Sequence, residues 1–239
     1  MNETDWLQIH THILQLEQEG LVTRTFRRLD PDRQGAVLTA ILDEAAARGP
    51  AALNIKQVAE RAGVSVGSLY TYFNDRDTML NFAVTLSARF LTEALDGFAD
   101  DLAALPLREA LGYYVAGGVE WSQTYAGLLR LFVRAAYQGD PGLSESLVRP
   151  VADSMRGVVG KILQAAQARG ELRPDLDMEA AIRLVHGITI VVGDSQLLPH
   201  LNSYFQLADE AFAPERALAA MLQLICEGLG AREAQKDDD

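Results

Sequence analysis

Cysteine is nearly missing from this chain of 239 residues, because Cys226 is the only one. A single thiol excludes a disulfide framework and any zinc or iron–sulfur site that needs several thiolates. Histidine is scarce too, and His10 and His12, two positions apart, would point to nearly opposite sides of a helix. We therefore expect no metal and no cofactor.

Long apolar runs and a secretion signal are also missing. The longest strongly apolar stretch covers residues 188–193, far short of the roughly 20 residues that cross a bilayer. The first residues are acidic and polar, and they lack the basic and apolar regions of a signal peptide. The sequence therefore predicts a cytoplasmic protein with no membrane partner.

Signals for β-strands are almost absent, whereas apolar residues recur every three or four positions along the chain. The expected fold class is therefore all-α. Pro150 is expected to kink or break one of the helices. Helices are predicted over residues 6–19, 32–48, 55–62, 65–72, 76 to beyond 98, 106–122, 126–138, 142–169, 177–195 and 214–228.

Charge is unevenly distributed. The net charge is −12, which at first sight argues against a nucleic-acid partner. Residues 1–80 hold 8 basic and 11 acidic side chains, so their net charge is 8 − 11 = −3, and the remaining −9 lies further along. Because a DNA contact depends on where the basic groups lie, the acidic total does not exclude one.

Residues 54–73 have the pattern of two short helices joined by a tight turn. Asn54 is suited to cap the first helix, and Gly63 can adopt the left-handed conformation that the turn needs. Ser65 caps the second helix, whose inward side is predicted to carry Leu69, Tyr70 and Phe73. This arrangement is a helix-turn-helix with a recognition helix at 65–72. Small or hydroxyl-bearing groups remain outward: Ser65, Val66, Gly67, Ser68, Thr71 and Tyr72.

The pattern resembles the DNA-binding segment of the TetR family of bacterial transcription regulators. The matching residues are Val58-Ala59, Ala62-Gly63-Val64-Ser65, Gly67, Leu69-Tyr70, Tyr72-Phe73, Arg76 and Leu80. The resemblance implies a three-helix DNA-binding domain over 31–75, after an N-terminal extension over 1–30 that contains an extra helix. A larger helical effector-binding and dimerisation domain would cover 76–229, and residues 230–239 would form a disordered acidic tail.

The resemblance further implies a homodimer that binds a near-palindromic, double-stranded operator. Asn54 and Arg76 match positions that contact the DNA backbone, and one of Tyr70 and Tyr72 would pack inward while the other meets phosphate. The predicted base-facing residues are Ser65, Val66, Gly67, Ser68 and Thr71. The recognition helix carries no Arg, Lys, Asn or Gln, so bidentate recognition of guanine or adenine is not available from it.

Two interpretations apply to the extra N-terminal region. Its apolar stripe either packs on its own domain, or it packs on the partner subunit or supports an arm. In the second case Arg24, Arg27 and Arg28 contact DNA, and otherwise they form a solvated face.

The C-terminal half carries two further sets of candidates, each of which could equally be plain core. A small-molecule effector, of a kind that the sequence does not identify, would contact Tyr113, Glu120, Trp121, Tyr125, Phe132, Arg134, Tyr137, His186 and Asp194. The family's usual dimer helices would contribute Ile182, Val185, Leu218, Met221, Leu222 and Ile225.

The function expected is a sequence-specific repressor, released from its operator by the effector. The first alternative is an architectural or replication-linked DNA-binding protein of the same fold without an effector. The second is a helical enzyme or carrier, which is disfavoured because the sequence has neither a glycine-rich phosphate loop nor a nucleophile elbow. We therefore expect no catalytic residues.

Overall fold

The computed structural model of the protein describes residues 3–124 and 126–231, with side chains described for 8–123 and 129–231. Tyr125, predicted to contact the effector, lies outside the described residues, as does the predicted tail from residue 232 onward. The prediction of an all-α fold is confirmed. Within the described ranges there is no β-strand, and an isolated bridge pairs Leu172 with Gly230.

The helices follow one another through the described chain with short connections. They are α1 (Glu3–Gln18), α2 (Arg24–Arg27), α3 (Pro31–Arg48), α4 (Ile55–Ala62), α5 (Val66–Tyr72), α6 (Arg76–Ala104), α7 (Leu107–Thr124), α8 (Ala126–Gln138), α9 (Pro141–Leu143), α10 (Arg149–Ala168), α11 (Met178–Leu197), α12 (Asn202–Phe205) and α13 (Pro214–Leu229). Short 3-10 turns cover Pro50–Ala52 and Pro199–Leu201. A π-helical turn, Ser144–Val148, lies directly before α10. The α-helical pattern is therefore interrupted beside Pro150, as expected for a residue without a backbone N–H.

Two compact units are formed. Unit 1 contains residues 1–93 and 124–152, and unit 2 contains 94–123 and 153–239. Helix α6 contributes its first part to unit 1 and its last part to unit 2, whereas the predicted boundary lies at residue 76, where α6 begins. Packing therefore groups α8 with the helix-turn-helix. The division of functions at residue 76 stays a prediction.

The extra helix α1 packs within unit 1. Ile9, Ile13 and Leu16 are almost completely buried, as expected for an amphipathic helix that turns one stripe toward the core. At the end of α1, both carboxylate oxygens of Glu19 accept hydrogen bonds from Arg89 of α6, at 2.9 Å each. The first of the two interpretations, packing on its own domain, therefore describes the apolar stripe.

Helix α3 is the centre of unit 1 and packs against both α4 and α8. Asp30 caps its N-terminus by accepting a hydrogen bond from the Arg33 backbone N–H. At its other end, the Arg134 guanidinium of α8 donates to the carbonyl oxygen of Ala46 at 2.9 Å, and Arg130 donates to Asp43 at 2.7 Å. The Arg134 bond satisfies a carbonyl group that the helix end leaves unpaired, whereas Arg130 and Asp43 form an ion pair.

Unit 2 has its own hydrophobic core, built from the end of α6 together with α7, α10, α11 and α13. Gly160 lies beside Ile182 and Gly112 beside Leu222, where an added Cβ would be in ordinary van der Waals contact at 3.5 and 3.6 Å. Leu107 begins α7, and its backbone N–H donates to Glu171 at 2.7 Å.

A test of length and hydropathy finds no single helix, among the described residues, that could cross a membrane. The bent pair of Met178–Leu197 and Pro199–Phe205 meets the length and composition test only when both parts are taken together, across a bend of 114°.

Candidate nucleic-acid interface

Helix α4 is the first helix of the predicted helix-turn-helix, and its two ends have the expected caps. The Asn54 side chain accepts a hydrogen bond from the Lys56 backbone N–H at 3.0 Å. Gly63 has φ +66° and ψ +29°, the left-handed conformation that ends the helix, in which an L side chain would be strained. Val58 and Ala59 are buried beneath the turn.

Helix α5 is the predicted recognition helix, and Ser65 caps it. The Ser65 hydroxyl oxygen accepts from the Ser68 backbone N–H at 2.9 Å, which satisfies one of the free donors of the first turn. Leu69 and Phe73 are buried on the inner side. The outer side carries small and hydroxyl groups: Ser65, Gly67 and Thr71 are exposed, and Val66 and Ser68 are half-buried.

The predicted orientation of the two tyrosines is wrong. Tyr72 is 9% exposed, whereas Tyr70 is 52% exposed. Helical geometry gives the reason, because residues 69, 72 and 73 fall on one side of the helix at spacings of three and four, and position 70 falls off that side. Tyr72 packs edge-on against Phe26, with ring centroids 5.8 Å apart. The exposed tyrosine beside the outer face is therefore Tyr70.

Arg76, predicted to contact the DNA backbone, is engaged by the chain itself. Its Nη2 donates to the carbonyl oxygens of Pro50 at 2.5 Å and Ala51 at 2.7 Å, and its Nε donates to Leu53 at 3.2 Å. A guanidinium has five N–H donors, and three are used in these bonds. Arg76 therefore fixes the loop that leads into Asn54 and α4.

A buried carboxylate also holds the helix-turn-helix in place, and the sequence reasoning missed it. The side chain of Glu44 on α3 is 0% exposed, and its oxygens lie 3.0 Å from Nε of Arg48 and 3.4 Å from Nη2 of Arg61. Arg61 belongs to α4, so this ion pair connects α4 to α3. The sequence did offer a signal, because Glu44 lies among the apolar residues of α3 and Arg48 follows it four positions later.

The arginines of the N-terminal extension differ in their surroundings. Arg27 forms an ion pair with Glu17 of α1 and is about three-quarters buried. Arg24 and Arg28 are exposed, and neither forms an ion pair with the described residues. The structure therefore separates one paired arginine from two free ones.

The residues predicted to contact an effector are not gathered in one unit. Phe132, Arg134 and Tyr137 belong to unit 1. Tyr113 of unit 2 is 62% exposed.

His186 is the most distinctive of the set, because its Nδ1 is buried and finds no hydrogen-bond partner among the described residues. Burial, and secondarily the charge of Arg156, lowers the pKa of His186, while Asp153 opposes this. Unit 2 also contains the remaining members of the set, Glu120, Trp121 and Asp194.

The residues predicted for the dimer interface are core residues instead. Ile182, Val185, Met221 and Ile225 are at most 8% exposed within the single chain. Leu218 and Leu222 are partly buried against the same core. Because these side chains are buried within one chain, they are not exposed for a partner subunit. The large apolar residues that the two helices do expose are Leu184 and Ile188 on α11 and Leu224 on α13, which are 67%, 44% and 74% exposed.

A helix-turn-helix in one helical unit, together with a second helical unit, is typical of a DNA-binding transcription regulator. Sequence families agree with this class. Residues 37–82 match the family described as bacterial regulatory proteins of the tetR family, and residues 106–191 match the tetracycline-repressor-like C-terminal domain. The chain belongs to the TetR family of transcription regulators. Both matched families consist of regulators rather than enzymes.

Solved structures resemble this fold over most of its length. The fatty acid degradation regulator FadR from Bacillus halodurans has a TM-score of 0.61 at 16% identity, and the match covers 86% of this chain and all of that one. FadR from Bacillus subtilis, solved in complex with stearoyl-CoA, has a TM-score of 0.60 at 17% identity, with 82% and 99% covered. SmeT, the repressor of the Stenotrophomonas maltophilia multidrug efflux pump SmeDEF, has a TM-score of 0.57 at 17% identity, with 84% and 93% covered. A search of curated protein sequences returns no match.

Proposed function

We propose that the protein is a homodimeric repressor that reads its operator with the outer face of α5 and leaves it when a small molecule binds. The observation that carries the DNA-binding part is the chemistry of that face. Small side chains and hydroxyl groups let a helix lie close to base edges and phosphates. The caps by Asn54 and Ser65, the Arg76 bonds and the Glu44–Arg61 pair hold the two helices in a fixed relation.

We expect recognition of the operator sequence to depend little on bidentate hydrogen bonds from α5 to the bases. No exposed group on α5 can pair with both acceptors of a guanine, so thymine methyl groups, single hydroxyl contacts and DNA shape would carry the sequence preference. Gly67 would allow close approach of the backbone, because it is exposed and has no side chain. Asn54 is exposed at the start of α4 and would contact phosphate.

The DNA readout is tested with duplexes selected by the wild-type protein from a random library. We expect Ser68→Ala to weaken binding to the selected duplex by about twofold to tenfold, the effect of losing one hydrogen bond of about 0.5–1.5 kcal/mol. Binding to a scrambled duplex should stay the same. Ser203→Ala, which changes an exposed serine of α12 in unit 2, is the matched control. Equal loss on both duplexes would contradict a base-reading role for this face.

The second subunit is proposed to pack on the exposed apolar side of α11 and α13. These two helices contact each other, and they present Leu184, Ile188 and Leu224 to solvent. Isolated exposed apolar side chains are common, but three on adjacent helices suit a self-complementary interface. A dimer places two recognition helices at a fixed spacing, which a near-palindromic operator requires.

Effector release is proposed to involve unit 2, because residues 106–123 and 153–191 of that unit belong to the match with the C-terminal domain of tetracycline-repressor-like proteins. Unit 2 also contains His186, whose buried Nδ1 is available to a ligand's donor. Effector binding would then favour a conformer whose recognition helices no longer fit successive grooves. Support for an acyl-CoA effector comes from FadR of Bacillus subtilis, which is solved with stearoyl-CoA.

An acyl-CoA series from C8 to C18 therefore opens the effector screen, followed by free acids and efflux-pump substrates. We expect at least one compound to release the selected duplex, and His186→Ala to weaken that release without changing DNA affinity in its absence. Operator binding that is unaffected by every compound would favour the architectural alternative.

A further inference from the structure

We propose that α2 is a second DNA-contacting element, which docks on the last turn of the recognition helix and presents Arg24 and Arg28 to DNA phosphates beside the bases that α5 reads. This inference rests on the proposed DNA-binding function and adds a surface outside the helix-turn-helix. The sequence alone left three arginines and two interpretations for this region. The structure separates their roles.

The docking of α2 is defined by hydrogen bonds to the C-terminal turn of α5. The Thr23 backbone N–H donates to the Tyr72 carbonyl oxygen at 2.9 Å. The Thr23 hydroxyl donates to the Thr71 carbonyl oxygen at 2.7 Å. Carbonyl groups at a helix end lack partners within the helix, so Thr23 completes α5. Thr71 is itself exposed, and the exposed Arg24 follows Thr23 directly, so these bonds place Arg24 beside the C-terminal end of α5.

Apolar packing fixes the orientation of α2. Phe26 is 0% exposed and its ring lies 5.4 Å from that of Phe73 and 5.2 Å from that of Phe82. Positions two residues away from a buried helical residue point to the opposite side. Arg24 and Arg28 stand at these positions on either side of Phe26, and both are exposed. They are four residues apart, so they share one side of the turn.

Arg27 has a positioning role instead. Its guanidinium donates to Glu17 of α1, while its carbonyl oxygen accepts from the Gln34 side chain at 3.0 Å. Gln34 also donates to the Phe26 carbonyl oxygen at 3.2 Å and is 2% exposed. The C-terminal end of α2 is therefore tied to both α1 and α3, which limits its movement relative to α5.

The local charge balance favours an anionic partner at this surface. Glu17 is paired with Arg27, Glu19 with Arg89, and Asp30 with Arg33. Among residues 17–33, Asp32 is the remaining exposed acid, whereas two arginines, Arg24 and Arg28, form no ion pair with the described residues. Because α5 has no basic side chain, Arg24 and Arg28 supply cations that the recognition helix itself lacks. Guanidinium groups pair well with phosphate oxygens.

The test compares the salt dependence of DNA binding for the full-length wild-type protein and the Arg24→Gln/Arg28→Gln variant. Fluorescence anisotropy is measured on the selected duplex and on a scrambled one. Each phosphate contact contributes about 0.9 to the slope of log K against log salt, so a dimer that loses four contacts loses up to about 3.6. The matched control is Arg108→Gln/Lys161→Gln, which removes the same charge from exposed positions in unit 2.

We expect the α2 variant to have a smaller slope on both duplexes, the control to keep the wild-type slope, and Arg24→Lys/Arg28→Lys to restore most of it. An α2 variant that keeps the wild-type slope, or loses no more than the control, would overturn the inference. If the wild-type protein does not distinguish the two duplexes, the proposed function fails, and the slopes on the scrambled duplex still decide whether α2 contacts phosphate.

Discussion

The helix-turn-helix and the pair α11 and α13 both carry clear apolar stripes, yet only the first pattern predicted which side faces inward. In α4 and α5 the residues expected inside are largely inside, with the two tyrosines exchanged. In α11 and α13 the stripe assigned to the subunit interface is the core of unit 2. The two outcomes differ because α4 and α5 have a narrow apolar side, whereas the apolar surface of α11 and α13 is wider.

A short helix with one apolar side leaves little choice of orientation. In α5, the caps and the glycine turn fix where the helix begins, and the period of 3.6 residues then places each side chain. Helices α11 and α13 carry exposed apolar residues next to those that form the core. Periodicity identifies this wider apolar surface but does not say which part of it faces the chain's own interior.

The largest expected effect sharpens the comparison within α5. Tyr72→Ala removes a buried ring that packs on Phe26, so we expect the free energy of unfolding to fall by about 3–5 kcal/mol. Tyr70→Ala is the matched control, and as an exposed change it should alter stability by no more than about 0.5 kcal/mol. Urea denaturation followed by circular dichroism measures both. Equal losses would contradict the exchanged orientation.

The next largest effect distinguishes the buried from the exposed apolar residues of α13. Met221→Ala should lower the free energy of unfolding by about 2–5 kcal/mol, because a cavity forms in the core of unit 2, while the dimer persists. Leu224→Glu should leave the helical content unchanged and shift the protein to monomers. Analytical ultracentrifugation and chemical denaturation at one fixed protomer concentration measure the two properties. A dimer that survives Leu224→Glu and Leu184→Glu together would disprove the proposed interface.

A smaller effect tests whether Arg76 positions the helix-turn-helix or contacts DNA. Arg76→Lys cannot reproduce the planar set of donors to Pro50, Ala51 and Leu53, so a stability loss of about 1–3 kcal/mol is expected. A lysine would still neutralise a phosphate, so the salt slope for DNA should not change. Arg76→Gln removes the charge. If this second variant lowers the slope by up to about 1.8, which is one phosphate contact of about 0.9 in each subunit of the dimer, Arg76 contacts phosphate after all.

The smallest expected effect is the contribution of His186 to the pH dependence of the free energy of unfolding. Its pKa is lowered from the ordinary value of 6.5, chiefly by burial, so below that value the unfolded chain binds the proton more readily than the folded one. Stability from neutral His186 is therefore complete above about pH 6.5 and is lost as the pH falls. His186→Gln should show a flatter decline in urea midpoint between pH 7.5 and 5.5. If the urea midpoints of the wild type and the variant declined in parallel, His186 would make no contribution to the pH dependence of stability.

Local features were predictable from the sequence because their causes are local. The caps at Asn54 and Ser65 and the left-handed Gly63 each depend on residues a few positions apart. Arg76 and Thr23 were not predictable in their observed roles, because their partners lie about 23 to 49 positions away. No short-range pattern indicates that an arginine binds carbonyl groups of a distant loop. The location of an effector site depends on such distant relations, and it stays a prediction.

The most direct test of the central claim is fluorescence anisotropy of the wild-type protein on the selected duplex and on its scrambled counterpart, across a salt series. A regulator that reads its operator through α5 should bind the selected duplex at least ~10³-fold more tightly, and this ratio should persist as salt weakens both complexes. Equal binding to the two duplexes, with the same steep salt dependence, would mean phosphate contact alone and would contradict sequence-specific recognition.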